Sequence, residues 1–175
     1  GFDGTSMASI AKRAKLTKGG VYHHFKSKDQ ILLAANDKLM EPVMGFITEA
    51  RAEASPTGAL ERYIHEVLGH WALRPEALAF TFLSLNKTMT TPADRPALDE
   101  YAQLMTGFFA ELLVAGVEKG ELEPHDVEAR ALALFASLDG ITPYLVVSKR
   151  LNSELAARQL CGLFIDDIRL DREGG

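Results

Sequence analysis

The sequence predicts an all-α protein in which a small helix-turn-helix head precedes a larger helical domain. Apolar residues recur at intervals of three and four along most of the chain, and no stretch alternates apolar and polar residues between turn signals as a strand does. The 175 residues, of which 47% are hydrophobic, suffice for one sizeable core with a small module attached. The distribution of charge separates the same two parts.

The head is basic and the rest of the chain is acidic. The formal net charge is -5, yet residues 1–38 hold seven Lys or Arg against three Asp, which gives +4. The remaining twelve cations and 21 anions give -9. This division is typical of a protein that contacts phosphate with one end only.

Two short helices, at about residues 6–14 and 18–25, open the chain. Each begins after a hydroxyl residue that can cap it, Thr5 or Ser6 for the first helix and Thr17 for the second. A break of two residues separates the helices. Their shared core is expected to consist of Met7, Ile10, Leu16, Val21 and Phe25.

A long helix follows, and the domain boundary is expected within it. Ser27 and Gln30 have the spacing of a capping box at its start, and Pro42 is expected to kink it. We assign residues 1–38 to the head and residues 39–175 to a regulatory and dimerisation domain. After a turn at residues 55–58, further helices complete the chain. Including the long one, these helices are expected at about residues 28–52, 59–73, 76–89, 97–119, 125–147 and 153–169.

We expect a cytoplasmic protein without a cofactor, a metal or a membrane partner. No apolar run approaches the roughly 18 residues of a membrane-spanning helix, and no signal peptide opens the chain. The single cysteine, Cys161, has apolar neighbours and is expected to be a small buried hydrophobe in a reducing compartment.

Two runs in the head match a known DNA-binding pattern. Residues 5–11 read TSMASIA and residues 16–28 read LTKGGVYHHFKSK. They resemble the signature of the TetR family, in which T-(S/T)-x-x-x-I-A precedes K-G-x-x-Y-x-(H/Y)-F-x-(S/T/N)-K. The resemblance covers the head only; the remainder is similar in being helical and of suitable length. The family places one more helix before this stretch, and we expect it to have been removed or to be absent from this sequence.

The resemblance implies that the second helix enters the major groove of DNA. Thr17 and Lys18 then lie at its leading end, and Lys28 adds charge at the start of the long helix. Glycine in a helix interior is about 1 kcal/mol less favourable than alanine, so the presence of Gly19 and Gly20 in the second helix needs a reason. Either close approach of DNA or relief of packing is expected to favour them. The residues expected to contact DNA are Thr5, Ser6, Thr17, Lys18, Gly19, Tyr22, His23 and Lys28.

For the body, the resemblance implies a homodimer that binds a palindromic operator as a repressor. It also implies that a small-molecule inducer binds the body and releases the protein from the operator. A largely apolar inducer is expected among residues that could equally form simple core: Met44, Ile64, Leu68, Trp71, Phe80, Phe82, Phe108 and Phe109. The dimer interface is expected at Leu134, Leu138, Leu160, Leu163 and Phe164. Two half-sites need recognition helices about 34 to 36 Å apart, which is the reason to expect a dimer.

Two other classes of protein remain as alternatives. A helical enzyme is suggested by His65 and His70 in HEVLGH, but the second histidine comes one residue late for a zinc-protease helix. At about 100° per residue such a pair points about 140° apart, so we expect no metal site and no enzyme. A protein-interaction adaptor without DNA binding would explain the acidic body but not the basic head. Salt-dependent DNA binding distinguishes it from a regulator.

Overall fold

The computed structural model describes residues 1–170 and confirms the all-α class. The chain divides into two compact units, Gly1–Glu41 and Pro42–Gly175. Within the described residues there are nine α-helices and, as the sole strand-like pairing, one isolated antiparallel bridge. In chain order the helices are α1 (Met7–Arg13), α2 (Lys18–His24), α3 (Lys28–Arg51), α4 (Pro56–Ala72), α5 (Pro75–Thr90), α6 (Arg95–Glu118), α7 (Val127–Ile141), α8 (Tyr144–Val147) and α9 (Ser153–Phe164).

The first unit holds a helix-turn-helix whose two caps are those expected. Ser6 and Ser9 form a reciprocal capping box on α1, with N–H to hydroxyl distances of 3.0 and 3.2 Å. The Thr17 hydroxyl accepts from the Gly20 N–H at 3.0 Å and caps α2. Directly after the C-cap of α1, Lys15 adopts a left-handed φ of 57°, which ends the helix.

The core of this unit differs in part from the expected one. Met7, Ala11 and Val21 are buried, and Phe25 and Ile31 pack against them. The expectation that Leu16 belongs to this core is wrong, because its side chain is 58% exposed. Leu16 follows the left-handed residue and lies in the turn, outside both helices, so the periodicity of neither helix determines where it points.

The start of α3 differs from an ideal capping box. The Ser27 hydroxyl accepts from the Gln30 N–H at 3.2 Å, as expected. The Gln30 amide oxygen, however, accepts from the N–H of Lys26 at 2.7 Å, one residue before the cap. The helix then continues through Pro42 to Arg51.

In the second unit α4 lies at the centre, in contact with α6 and α9, and α6 also contacts α7. Each of the large core side chains stabilises the fold by about 1.5–3 kcal/mol through loss of water-exposed apolar surface. Among them are Leu60, Tyr63, Ile64, Leu68, Phe108, Phe109, Leu113, Leu134 and Ile165. Gly116 allows the turn after α6 to pack closely, because a Cβ there would lie 2.7 Å from Cδ1 of Leu122.

The helix expected at residues 125–147 is interrupted. α7 ends at Ile141, and a separate short helix begins at Tyr144. Pro143 lies between them, and it lacks the N–H that would continue the hydrogen-bond ladder of α7. The last helix is also shorter than expected, since α9 ends at Phe164 and a short 3₁₀ helix, Asp166–Ile168, follows.

One apolar stretch is longer than the sequence analysis allowed. Val127–Val147 reaches a mean hydropathy of 1.3 and is long and apolar enough to cross a membrane, by length and composition alone. Core helices of soluble proteins can pass the same test, but only 17% of this stretch is buried inside the chain. The fold therefore leaves much of this apolar surface uncovered.

Candidate nucleic-acid interface

The exposed face of α2 carries the residues that the motif assigns to DNA. Lys18, Gly19, Tyr22 and His23 are all exposed. The Lys18 ammonium lies 5.8 Å from the centroid of the Tyr22 ring, one helical turn away. Val21, on the opposite face, is buried in the head core. Packing thus orients the polar face of α2 away from the core.

The two glycines of α2 have different surroundings. A Cβ on Gly20 would lie 3.2 Å from the Thr17 hydroxyl oxygen, so the cap itself favours glycine there. A Cβ on Gly19 would meet nothing within 4 Å. The fold therefore gives no steric reason for the absence of a side chain at Gly19, and the backbone there is open to solvent.

The residues before α1 are partly engaged within the head. The Thr5 hydroxyl donates to the Gly1 carbonyl at 2.8 Å, and the Ser6 hydroxyl accepts from Ser9 as the cap of α1. The Lys28 ammonium, half-buried, donates to the Phe2 carbonyl at 2.9 Å. Of Thr5, Ser6 and Lys28, only Ser6 is exposed, and the Lys28 ammonium is directed at the chain's own backbone.

The rim of the head is cationic. Besides Lys18 and Lys28, its five other Lys and Arg side chains are exposed, and they are Lys12, Arg13, Lys15, Lys26 and Lys38, of which Lys38 is paired with Glu41. Exposed lysines and arginines around a helix-turn-helix supply the sequence-independent part of DNA affinity by neutralising phosphates.

The residues expected around a ligand lie in and beside the core of the body. Five of them are buried and three are half-buried. The buried ones are Ile64, Leu68, Trp71, Phe108 and Phe109, and the half-buried ones are Met44, Phe80 and Phe82. Seven of them lie on α4, α5 and α6, which contact one another, whereas Met44 lies on α3.

Two residues on α4 and α5 were not predicted from the sequence. Tyr63 is buried at 2% exposure, its ring centroid 5.0 Å from that of Phe108, and its hydroxyl has the Met105 sulfur as a weak acceptor at 3.9 Å. Thr81 on α5 has a buried hydroxyl oxygen without a hydrogen-bond partner. The helical spacing of Tyr63 with Val67 could have revealed the first; nothing in the sequence singles out the second.

The residues expected at a dimer interface are divided by the structure. Leu134, Leu138 and Leu160 are buried within the chain itself, Phe164 is half-buried, and Leu163 is 64% exposed. The amphipathic pattern does not tell a face covered by the chain from one left for a partner. Large apolar side chains that are exposed on α7, α8 and α9 are Leu132, Tyr144, Val146, Val147, Leu155 and Leu163.

The histidines of HEVLGH have separate surroundings. His65 Nδ1 lies 3.6 Å from a carboxylate oxygen of Glu154, whereas the His70 ring packs edge-on against Phe46 and Trp71. Burial, together with Arg74, lowers the pKa of the His70 imidazole. Residues 1–170 contain no group of three or more His, Cys, Asp or Glu that could hold a metal ion.

Comparison with known families gives matches in both units. Residues 1–35 match the family of bacterial regulatory proteins called tetR, and residues 56–170 match the C-terminal domain of BetI-type transcriptional repressors. The probable helix-turn-helix transcriptional regulator ArpR of Pseudomonas putida is 27% identical over 146 residues, which cover 78% of this chain and 68% of ArpR.

Solved structures share the fold. AibR, solved in complex with isovaleryl coenzyme A and operator DNA, has a TM-score of 0.69 at 22% identity, over 94% of this chain and 89% of AibR. A putative transcriptional regulator of Saccharomonospora viridis, solved with choline, has a TM-score of 0.78 at 17% identity, over 97% and 90% of the two chains. The chain therefore belongs to the TetR family of bacterial regulatory proteins and is a DNA-binding transcriptional repressor, not an enzyme.

Proposed function

We propose that α2 lies in the major groove of a palindromic operator and that Lys18, Gly19, Tyr22 and His23 make its principal contacts. The observation that carries this proposal is the exposed polar face of α2, on which Gly19 leaves the backbone open to an approaching partner. Lys18 and Tyr22, at the leading end and one turn later, can reach bases and phosphates on the same side of the helix.

The test is a double substitution, Lys18→Ala with Tyr22→Ala, assayed on a duplex that the wild-type protein selects from a random pool. We expect binding to be abolished while the helical circular dichroism is retained. A matched control, Lys149→Ala with Leu73→Ala, removes one cation and one exposed apolar side chain from the body. Binding by the double variant equal to that of the control would refute this docking.

We propose that a homodimer forms through the exposed apolar face of α7 and α9. Leu132 on α7 and Leu155 and Leu163 on α9 are exposed, and the two helices contact each other within the chain. Burying this face removes apolar surface from water, at roughly 25 cal/mol per Å². A two-fold dimer then presents two α2 helices to two half-sites of one operator.

We propose that the inducer binds among α4, α5 and α6 and has a largely apolar body with one hydrogen-bonding group. Aromatic and aliphatic side chains dominate this region, and the unpartnered Thr81 hydroxyl offers a polar contact that would fix the orientation of a ligand. AibR binds isovaleryl coenzyme A and the Saccharomonospora protein binds choline, so ligand chemistry varies within the fold. We therefore base the proposed chemistry of the inducer on the residues of this chain and not on the ligands of those two proteins.

Trp71, the only tryptophan of the chain, allows this proposal to be tested. A metabolite library would be screened for quenching of its fluorescence and for release of the selected duplex. Thr81→Val should weaken the binding of the compounds found in this way. It should not lower the free energy of unfolding, because the hydroxyl that it removes has no hydrogen-bond partner. Compounds that release DNA without changing Trp71 fluorescence would place the ligand elsewhere. We propose that binding of the inducer releases the operator through movement of α3. We propose that this release takes place in the bacterial cytoplasm.

A further inference from the structure

The side chain of Lys28 points back into the head. Its ammonium donates to the backbone carbonyls of Phe2 at 2.9 Å, Thr5 at 3.3 Å and Asp3 at 3.5 Å. It also lies 4.4 Å from the centroid of the Phe2 ring, within the range of a cation–π interaction. An ammonium has three hydrogens, and three carbonyls accept from it here.

These contacts connect the two ends of the helix-turn-helix. The segment Phe2–Thr5 precedes α1, whereas Lys28 is the first residue of α3 and follows α2. The hydrogen bonds therefore close a loop over 23 to 26 positions of sequence. Because α1 packs against α2, fixing the start of α1 to the start of α3 also fixes the orientation of α2.

We propose that Lys28 is a positioning residue, which holds the helix-turn-helix in the geometry that reads the operator, and that it does not itself contact a phosphate. This inference rests on the DNA-binding surface of α2 proposed above. A phosphate contact would require the ammonium to give up one of its three carbonyl acceptors. The role assigned to Lys28 acts through α2, so its loss should impair recognition of sequence more than attraction to DNA in general.

The experiment compares Lys28→Met with Lys26→Met in the full-length protein. Both changes remove one positive charge, and Lys26 is exposed two positions away. Affinity is measured over a series of salt concentrations for the selected duplex and for a scrambled duplex of the same length. We expect Lys28→Met to lower the ratio of the two affinities roughly tenfold or more, the effect of losing charge-assisted hydrogen bonds, and Lys26→Met to leave the ratio unchanged.

The other outcomes contradict the proposal in distinct ways. A parallel loss on both duplexes, with a salt slope reduced by about 0.9, identifies Lys28 as a phosphate contact. A parallel loss with diminished helical circular dichroism means that Lys28 serves the stability of the head alone. An unchanged ratio with unchanged affinities means that the contacts to the carbonyls do not matter for recognition.

A second variant keeps every charge. Phe2→Leu removes the ring beneath the ammonium and should lower the affinity ratio in the same direction as Lys28→Met, by a smaller factor and at the wild-type salt slope. Failure of the docking proposal appears separately, as selected-duplex binding that survives Lys18→Ala with Tyr22→Ala. An effect of Lys28→Met without any effect of Phe2→Leu would leave the ring out of the positioning role and contradict this part of the proposal.

Discussion

Glu121 and Thr57 lie 64 positions apart, yet the Glu121 carboxylate accepts from both the N–H and the hydroxyl of Thr57, at 3.0 and 2.8 Å. The same oxygen accepts from the hydroxyl of Ser55, the cap of α4, at 2.9 Å. A carboxylate from the turn after α6 thus satisfies the start of α4, where the helix dipole favours negative charge.

This arrangement makes the stability of the second unit depend on pH. Partial burial opposes ionisation of Glu121, but the hydrogen bonds from Thr57 and Ser55 outweigh it and lower the pKa of the carboxyl. The contribution is therefore complete above the pKa of the unfolded chain and is lost as pH falls through the lower pKa of the folded protein. We expect Glu121→Gln to reduce the free energy of unfolding by about 1–2 kcal/mol near pH 7.

Urea unfolding at a series of pH values measures the free energy of unfolding of the wild type and of Glu121→Gln. The difference between wild type and Glu121→Gln should shrink as pH falls from roughly 5 to 3. Glu118→Gln, an exposed carboxyl on the same stretch of chain, serves as the control. A difference that stays constant over this range would show that the charge of Glu121 is not what stabilises α4.

Gly19→Ala should separate folding from DNA binding. The added Cβ meets nothing within 4 Å, and alanine favours a helix, so the melting temperature should stay level or rise. Affinity for the selected duplex should fall roughly tenfold or more, because the methyl group occupies the space where DNA approaches α2. Gly45→Ala, equally open but on α3, should leave affinity unchanged. Equal affinities of the two variants would mean that DNA does not come close to Gly19.

Leu163→Glu should convert the proposed dimer to a monomer. Leu163 is exposed on α9, and a dimer interface would bury the new carboxylate without a partner, which costs several kcal/mol. Sedimentation equilibrium measures the change. Leu73→Glu places the same charge on another exposed leucine, at the end of α4, and should remain dimeric. Dimers that persist in Leu163→Glu would locate the interface on a different face.

Cys161 should be unreactive in the folded protein. Burial, with the nearby charges of Glu61 and Asp166, raises the pKa of its thiol to about 11. At about pH 8 only about one molecule in a thousand then carries the thiolate, the form that attacks a disulfide reagent. Labelling with an aromatic disulfide should be slow in buffer and complete in concentrated urea. Rapid labelling of the native protein would show that the thiol is accessible.

Local chemistry predicted the head well. Ser6 and Thr17 cap helices that begin one residue later, because a hydroxyl before an apolar stripe satisfies orphan backbone donors. Leu16 was less predictable, because a residue in a turn has no periodicity to orient it. The carbonyl contacts of Lys28 depend on a segment more than twenty positions away, so the motif alone suggested a different role.

The positions of two prolines relative to the helices of the body were predicted wrongly from the sequence. Pro56 falls in an expected turn but is the first residue of α4, since proline is favoured in the first helical turn. Pro143 falls inside an expected helix and interrupts it. Apolar periodicity located the core leucine Leu134 but could not tell it from the exposed Leu163, because the pattern records which face is apolar and not what covers it.

The dependence of DNA affinity on salt tests the central claim most directly. For the selected duplex, the logarithm of the wild-type affinity should fall linearly with the logarithm of salt concentration, and the slope should be about 0.9 smaller in magnitude for Lys18→Met, one phosphate contact having been lost. Slopes that are the same for wild type and Lys18→Met, with equal affinities for selected and scrambled duplexes, would contradict the placement of α2 on DNA.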